Sequence, residues 1–405
     1  MAIGSTIRRE ATALWSDGKG WALVTVATAW GLLVGARMIF PVMIPSLQTA
    51  FGLSLSVAGL LVTVLWLCAA IGQLPGGILA DKFDERLVMT AGLLGVALGI
   101  ALVIVAPTAF VLFAATALWG LGHSLYPVAR ITFLTNVYPD RLGSALGVTM
   151  ATGDVGQTIL PPIAAVLAAG LVWQAGMGFM APLLLGAGIV LYVTLPSRTS
   201  NGPGDETGSF PGFRPILTEM RRPSMVFMTG ILFLYIFIWQ SFTAFYPTYL
   251  ITTKGLSPSV ASVLFGFFFA VGVAVKPTAG AAYDRIGMRW SLVGILLPPL
   301  VGFLLLPALD SLPALVAITA LLSVMLGTGA ITQSYLAEAF SEEMRGTGLG
   351  AVRTAAATLG AAGPVVFGVV GDFGYFDQGY VALAVIMGAV ILLTLRMPTA
   401  PGANG

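Results

Sequence analysis

The chain has 405 residues, of which 57% are hydrophobic and only 9% are charged. So few charged side chains cannot cover the surface of a water-soluble protein of this length, and the composition therefore excludes an ordinary soluble enzyme. The formal net charge of +2 gives no indication of nucleic-acid binding.

Apolar runs of about 20 residues follow one another along the chain, and each is long enough to cross a hydrocarbon core. The runs are continuous rather than alternating, which argues against a β-barrel. The first is too long for a signal peptide. We predict an all-α integral membrane protein with twelve transmembrane helices, over residues 20–44, 54–80, 86–106, 108–137, 142–168, 172–195, 223–250, 257–282, 287–308, 312–340, 346–371 and 376–396.

Two motifs recur at one offset of 203 residues. The segment 77–86 is matched by 280–289, and the segment 52–58 is matched by 255–261. Repeats of membrane helices are typical of secondary transporters. We predict two pseudo-symmetric six-helix halves related by an axis along the membrane normal. The predicted division is a tail 1–19, a half 20–195, a Pro-, Ser- and Gly-rich linker 196–222, a second half 223–396 and a tail 397–405.

Basic residues predict the orientation. With the N-terminus in the cytoplasm, one outer loop contains a basic residue, Lys254, and fourteen basic residues are cytoplasmic. Those fourteen are Arg8, Arg9, Lys19, Lys82, Arg86, Arg141, Arg198, Arg214, Arg221, Arg222, Arg285, Arg289, Arg345 and Arg396. We expect a multi-pass protein of the cell (plasma or inner) membrane, with both termini, the linker and the tails cytoplasmic. A single cysteine, Cys68, excludes a disulfide framework, and we expect no metal or cofactor.

The repeated loop has the pattern Gly-x-x-x-Asp-(Arg/Lys)-x-(Gly)-x-Arg and resembles the signature loop of the major facilitator superfamily. Residues 139–141, 338–346 and 360–364 also resemble that family's patterns, and the resemblance extends from about residue 20 to 396. It implies a secondary transporter that works by alternating access, with no enzymatic activity.

The resemblance also implies that the two loops hold the halves together in the outward-facing state. We expect Gly77 and Gly280 to allow close helix packing, and Asp81 and Asp284 to accept charge-assisted hydrogen bonds. Asp84 replaces the family's glycine; aspartate tolerates a left-handed backbone, so we expect the turn to be kept. Purely structural loops are the alternative. The candidate gating residues are Gly77, Asp81, Arg86, Gly280, Asp284, Arg285, Arg289, Glu338 and Arg345.

Charges inside the predicted helices indicate the substrate. Four cations (Arg37, Arg130, Lys276 and Arg353) face one clear anion, Asp154. Each costs about 2.5–3.5 kcal/mol to insert, so each needs a partner or a water-filled cavity. Guanidinium and ammonium groups recognise acids, and we therefore predict a small anionic substrate, a carboxylate or sugar acid. The candidate substrate contacts are Arg37, Tyr126, Arg130, Gln157, Gln240, Lys276, Gln333 and Arg353.

Two further polar residues are candidates for proton coupling. His123, the only histidine, lies on one helical face with Tyr126 and Arg130, at spacings i, i+3 and i+7. Asp154 shares a face of the fifth helix with Gln157. His123 and Asp154 could carry protons or balance the cations. Proton coupling and exchange against another anion both remain open, and protons are the further partner expected besides substrate and lipid.

Structural roles remain open for the same residues. Arg130 and Arg353 could reach the membrane interface, and Lys276 could reach Asp284. Arg37 could form a permanent bridge with Asp154. His123, and the aromatic residues such as Trp30 and Trp66, could serve only packing.

Other functions also remain open. Proton-coupled drug efflux is the first alternative, although Thr116 stands where the family often has an arginine. A membrane sensor or intramembrane enzyme would need a soluble domain or a nucleophile–base pair that the sequence does not provide. We expect a monomer.

The predicted gating role of Asp81 can be tested. Asp81→Asn should remove charge-assisted bonds while leaving the substrate site intact, so the transport rate should fall more than equilibrium ligand affinity does. Transport and binding assays on the same purified protein make the comparison. A variant that loses binding but keeps its opening dynamics would remove Asp81 from the gate.

Overall fold

The computed structural model describes residues 14–15, 19–197, 218, 220–340 and 345–397; the side chains of Asp81 and Arg345 and most of the predicted linker lie outside that description. The described part is helical and contains no strand. The predicted all-α class is therefore confirmed.

Six helices precede the linker. They are α1 (Gly20–Phe51), α2 (Leu55–Ile71 and Gln73–Lys82), α3 (Glu85–Ile104), α4 (Ala109–Val137), α5 (Leu142–Gly170) and α6 (Trp173–Gly178 and Met180–Thr194). A short 3₁₀ turn, Pro139–Arg141, joins α4 to α5.

The second half of the chain begins with α7 (Pro223–Thr252). One helical run, Pro258–Leu305, then contains a left-handed residue, Gly287, with a φ of 73°. We name its two arms α8 and α9. α10 consists of Leu312–Ser323, a 3₁₀ turn Val324–Gly327 and Thr328–Ala339; α11 consists of Arg345–Gly360 and Gly363–Asp372; α12 is Phe376–Arg396.

The helix count agrees with the twelve predicted. In the described part, nine helical segments are long and apolar enough to cross a membrane by length and composition. The run Pro258–Leu305 is one of these nine and is long enough for two spans. α2 and α5 are not among the nine, because α2 is interrupted and α5 is less apolar.

The two copies of the repeated loop turn differently. At the 203-residue offset, Asp84 corresponds to Gly287, which is left-handed. Asp84 is instead extended, with φ −62° and ψ 126°, and its Oδ1 accepts a hydrogen bond from the Arg86 amide at 2.9 Å. The expectation that Asp84 would keep the left-handed turn is therefore wrong. Aspartate is a good N-cap, and here it caps α3.

The described contacts group the chain into two compact units. Unit 1 comprises the described residues up to Phe51 together with Val64–Thr199, and unit 2 comprises Gly52–Thr63 and the described residues after the linker. The start of α2 belongs to unit 2 because the Asp372 carboxylate accepts hydrogen bonds from the amides of Leu55, at 2.6 Å, and Ser56, at 3.0 Å.

Small residues set the packing of unit 1. A methyl group placed on Gly31 would lie 2.7 Å from the Thr152 carbonyl oxygen, and one on Gly35 would lie 2.7 Å from that of Gly156. Only glycine permits backbones to approach this closely, as is typical of helix pairs in membranes. The contact fixes α1 against α5.

Aromatic rings fill unit 2. Phe242 packs against Tyr246 at 4.6 Å and against Phe268 at 5.0 Å between ring centroids. The hydroxyl groups of Tyr246 and Thr319 form a buried hydrogen bond of 2.6 Å. This unit therefore has a large aromatic core. The buried polar side chains of its described residues are uncharged, whereas unit 1 also buries Glu85, Arg130 and Asp154.

The α1–α5 packing generates a stability prediction. Gly156→Val should lower the melting temperature of the detergent-solubilised protein, since the added atoms meet the Gly31 carbonyl and overpacking costs about 1–3 kcal/mol. Gly186→Val is the matched control, because a methyl group there meets open space. Equal losses in the two variants would contradict the prediction.

Candidate functional site

Arg37 and His123 form the centre of a polar cluster in unit 1. Arg37 Nη1 lies 3.0 Å from His123 Nε2. A guanidinium group only donates, so Nε2 must be the acceptor and the ring proton must sit on Nδ1. His123 is therefore neutral in this arrangement, and it is only 3% exposed.

The Arg37 guanidinium also lies over an aromatic face. Its Cζ is 4.0 Å from the centroid of the Trp66 ring on α2. Arg37 and Trp66 are both half-buried. The cation–π contact lowers the cost of holding this charge away from water without neutralising it.

Arg130 repeats this arrangement one helix away. Its Nη1 donates to Thr149 Oγ1 on α5 at 3.0 Å, and its Cζ lies 4.0 Å from the centroid of the Trp30 ring. Its side chain is only 6% exposed. The alternative that Arg130 reaches the membrane interface is therefore wrong: its head group is buried inside unit 1.

Trp30 links the two arginines. Its ring centroid lies 6.2 Å from that of His123 and 6.1 Å from that of Tyr126. The Tyr126 hydroxyl donates to the Val26 carbonyl at 2.9 Å, which ties α4 to α1. The α4 residues spaced at i, i+3 and i+7 thus all face α1.

Asp154 lies in the same unit but does not pair with Arg37. The carboxylate is 5% exposed, and its Oδ1 lies 3.5 Å from Gln157 Nε2. Arg37 bonds His123 instead. The alternative of a permanent Arg37–Asp154 bridge is therefore wrong.

Several polar atoms of the cluster have no partner among the described residues. Nε of Arg37, Nε of Arg130 and Nδ1 of His123 are buried and make no hydrogen bond there. All three are donors in the state described above. Within the described part of the chain, neither guanidinium forms an ion pair. The cluster therefore offers donors and positive charge to whatever binds it.

Three members of the cluster are missed by the sequence analysis. In the sequence analysis Trp30 and Trp66 are named only as aromatic residues that could serve packing, and Thr149 is not singled out. A tryptophan seven residues before Arg37 on the same helix is the one signal available for Trp30. Nothing in the sequence around Thr149 marks it as a partner of Arg130.

The other candidate contacts lie in unit 2. Gln240 is buried with Oε1 unpartnered, Lys276 and Gln333 are half-buried, and Arg353 is exposed. Their roles stay predictions.

The motif arginines bind helix ends. Arg86 Nη1 donates to the carbonyls of Tyr192 and Leu195, each at 3.3 Å, at the end of α6. Its repeat counterpart, Arg289, donates to the Met397 carbonyl at 2.6 Å, just after α12. Both arginines therefore satisfy free carbonyls at the C-terminus of the last helix of their half, where a cation is favoured.

The motif glycines do not have the role expected of them. A methyl group on Gly280 would meet nothing within 4 Å, and one on Gly77 would make an ordinary 3.5 Å contact with Val128. The expectation that both glycines permit close helix packing is wrong. Among the other candidates, Glu338 accepts a hydrogen bond of 2.6 Å from Tyr283, while Asp284 and Arg285 are exposed. Their gating roles stay predictions.

Comparison with known proteins identifies the family. The model of the Major Facilitator Superfamily matches residues 25–327 and 231–405, which together cover nearly the whole chain. The chain belongs to the major facilitator superfamily. It is therefore a multi-pass membrane transporter of small molecules, rather than an enzyme.

Known relatives and structures of the superfamily agree with this assignment. The hexuronate transporter of Bacillus subtilis is 22% identical over 386 residues, covering 89% of this chain and 90% of the relative. A protein of Cupriavidus necator named as a probable sulfoacetate transporter is 23% identical over 386 residues, 89% of each chain. The fosmidomycin resistance protein of Escherichia coli is 25% identical over 273 residues, 65% of each.

The fold of this superfamily member is also that of solved transporters. A bacterial homologue of the human lysosomal transporter Spinster superposes with a TM-score of 0.79 at 14% identity, covering 96% of this chain and all of the other.

The Arg130 contact in this transporter can be tested without a substrate. Thr149→Val removes the acceptor of a buried charged donor, which should cost about 1.5–3 kcal/mol and lower the melting temperature. The matched control is Thr158→Val on the same helix, because the Thr158 hydroxyl bonds the Asp154 carbonyl one turn back rather than a charged side chain. Equal melting temperatures for the two variants would show that Thr149 does not hold Arg130.

Proposed function

We propose that this transporter carries a small organic anion, a carboxylate or sugar acid, and that the anion binds at the cluster formed by Arg37, His123 and Arg130. One observation supports the proposal above all others. Two guanidinium groups lie inside one unit, and neither has a carboxylate within ion-pair distance in the described part of the chain.

The energetics favour an anionic ligand. A cation within a membrane helix costs about 2.5–3.5 kcal/mol. A cation–π contact returns up to about 2 kcal/mol when it is desolvated. Stacking on Trp30 and Trp66 therefore offsets part of the cost of the two arginines, and an anion bound by charge-assisted hydrogen bonds can offset the rest.

Exposure within unit 1 indicates which residues a ligand would contact. Arg37, Trp30, Trp66 and Gln157 keep partial exposure, whereas Arg130 is buried. Arg37 is therefore the cation best placed to bind the acid group directly.

The names of the two relatives that align over 386 residues support the same class. Hexuronate carries a carboxylate on a sugar, and sulfoacetate carries a carboxylate and a sulfonate. Both are small, hydrophilic organic anions, which is the chemistry that a pair of unpaired guanidinium groups would recognise.

Drug efflux is the second candidate, since a fosmidomycin resistance protein is among the relatives. The electrostatics of unit 1 disfavour cationic amphipathic drugs. The aromatic faces that would stack on such a drug already hold Arg37 and Arg130, and both arginines repel a cation. An anionic drug would bind by the chemistry proposed above.

Uptake by purified protein in liposomes tests the proposal. Glucuronate, sulfoacetate and acetate should be transported or should compete for binding, and uncharged glucose is the matched control for glucuronate. Ethidium represents the cationic drugs. Transport of ethidium but of none of the acids would overturn the proposal in favour of drug efflux.

Substitutions of Arg37 test most directly whether this cluster binds the anion. Arg37→Gln should weaken anion binding about ten- to a hundredfold, since a lost charged hydrogen bond costs about 1.5–3 kcal/mol. Arg37→Lys should recover only part of that loss, because a single ammonium group replaces a two-pronged fork. Arg221→Gln, at an exposed position before α7, is the matched control.

Stability measurements separate a binding role for Arg37 from a structural one. The proposal expects Arg37→Gln to lose affinity while keeping most of its thermal stability. Because Arg37 does not pair with Asp154, the double variant Arg37→Gln/Asp154→Asn should not regain stability over the single variant. Normal anion affinity in an unstable Arg37→Gln protein would contradict the assignment.

A further inference from the structure

We propose that the hydrogen bond between Arg37 and His123 couples anion binding to the uptake of one proton. An anion that binds Arg37 draws its guanidinium away from His123, and the released Nε2 then takes a proton from water. This inference rests on the proposed anion site and adds the driving ion to it.

The geometry makes the two states of His123 mutually exclusive. Nε2 has one lone pair, which accepts the Arg37 N–H at 3.0 Å in the structure. A protonated imidazole has two N–H donors and no acceptor. His123 therefore cannot be protonated while Arg37 donates to it, and Arg37 cannot return to Nε2 until the proton has left.

The loaded state is balanced in atoms and charge. The Arg37 N–H···Nε2 hydrogen bond breaks, a proton from water adds to Nε2, and no bond of the substrate forms or breaks. Arg37 and the new Nε2–H both donate to the anion. A monoanion and one proton add no net charge to the site, so the coupled step is electroneutral.

The environment of His123 contains few competing titratable groups. The packed helices contribute Arg37 from α1, Asp154 from α5, and Cys68, Asp81 and Lys82 from α2, while Glu85 and Arg86 lie at the start of α3. α4 itself contributes Tyr126 and Arg130. Residues 87–104 of α3 contain no titratable side chain. Of these groups, Arg37 is the one in hydrogen-bond contact with the imidazole.

A second observation indicates that a ligand belongs here. Nδ1 of His123 carries the proton in the structure, yet it is buried and has no partner among the described residues. An unpaired buried donor costs about 1–3 kcal/mol. A bound ligand with an acceptor atom could satisfy this donor. Of the titratable groups named above, Asp154 is the rival proton carrier.

The single histidine permits a direct test on the unmodified sequence. Protein labelled with ¹⁵N-histidine and purified through a histidine-free tag gives imidazole signals from His123 alone. Without substrate, the spectrum should show a protonated Nδ1 and an unprotonated Nε2. With saturating glucuronate or sulfoacetate, both nitrogens should be protonated over a pH range in which the empty protein is neutral.

Calorimetry supplies the stoichiometry. Titration of the same anion in two buffers with different ionisation enthalpies should give about one proton taken up per anion, and affinity should fall up to tenfold per pH unit as the pH rises. His123→Gln keeps an acceptor for Arg37 but cannot titrate, so its proton uptake and pH dependence should vanish. Asp154→Asn is the rival control and should keep both.

The outcomes separate this inference from the proposed function. Anion binding that leaves His123 neutral and takes up no proton would overturn the coupling and leave the anion carrier intact. Proton uptake that is lost in Asp154→Asn while His123 stays neutral would assign the coupling to Asp154 and overturn our inference. If neither anion binds, the proposed function and this inference fail together.

Discussion

The close contact between the backbones of α1 and α5 is the constraint on which the polar cluster depends. Glycines at 31, 35 and 156 let the two helices touch, and that contact places Trp30 of α1 against α5 while α5 presents Thr149. Arg130 of α4 uses both residues, one as a stacking face and one as an acceptor. A larger residue in place of these glycines would move Trp30 and Thr149 apart. The position of the Arg130 guanidinium therefore depends on the small-residue packing of α1 and α5.

The internal repeat preserves the framework of the protein but not its polar cluster. Arg86 and Arg289 donate to carbonyls at the ends of α6 and α12 in the same way. These bonds tie the start of α3 to α6 and the start of α9 to α12. The cluster has no such counterpart. At the 203-residue offset, Arg37, Trp66, His123 and Arg130 correspond to Gln240, Phe269, Leu326 and Gln333. The Arg37–His123–Arg130 cluster is therefore a feature of unit 1 that the internal repeat does not reproduce in unit 2.

The sequence predicts the helices well because a membrane helix needs a continuous apolar run, and predicts the shared face of α4 because helical periodicity is local. It fails where the outcome depends on a distant partner. Arg37 bonds His123, 86 residues away in the chain, rather than Asp154, and local spacing does not distinguish these two partners. It fails also where one motif residue has two possible backbone roles. Asp84 caps α3 rather than adopting the turn of Gly287, because its carboxylate can satisfy a free amide and the glycine cannot.

A neutral His123 limits the electrostatic repulsion within a cluster that contains two arginines. A protonated histidine beside Arg37 would add a third cation to a cluster with one nearby carboxylate, and the repulsion between like charges grows as water is excluded. Accepting a hydrogen bond from Arg37 is therefore the stable arrangement without an anion. Once an anion is present, a proton on His123 lowers the energy instead of raising it. The sign of that electrostatic energy thus depends on the ligand, and this reversal is the physical basis of the coupling proposed for His123.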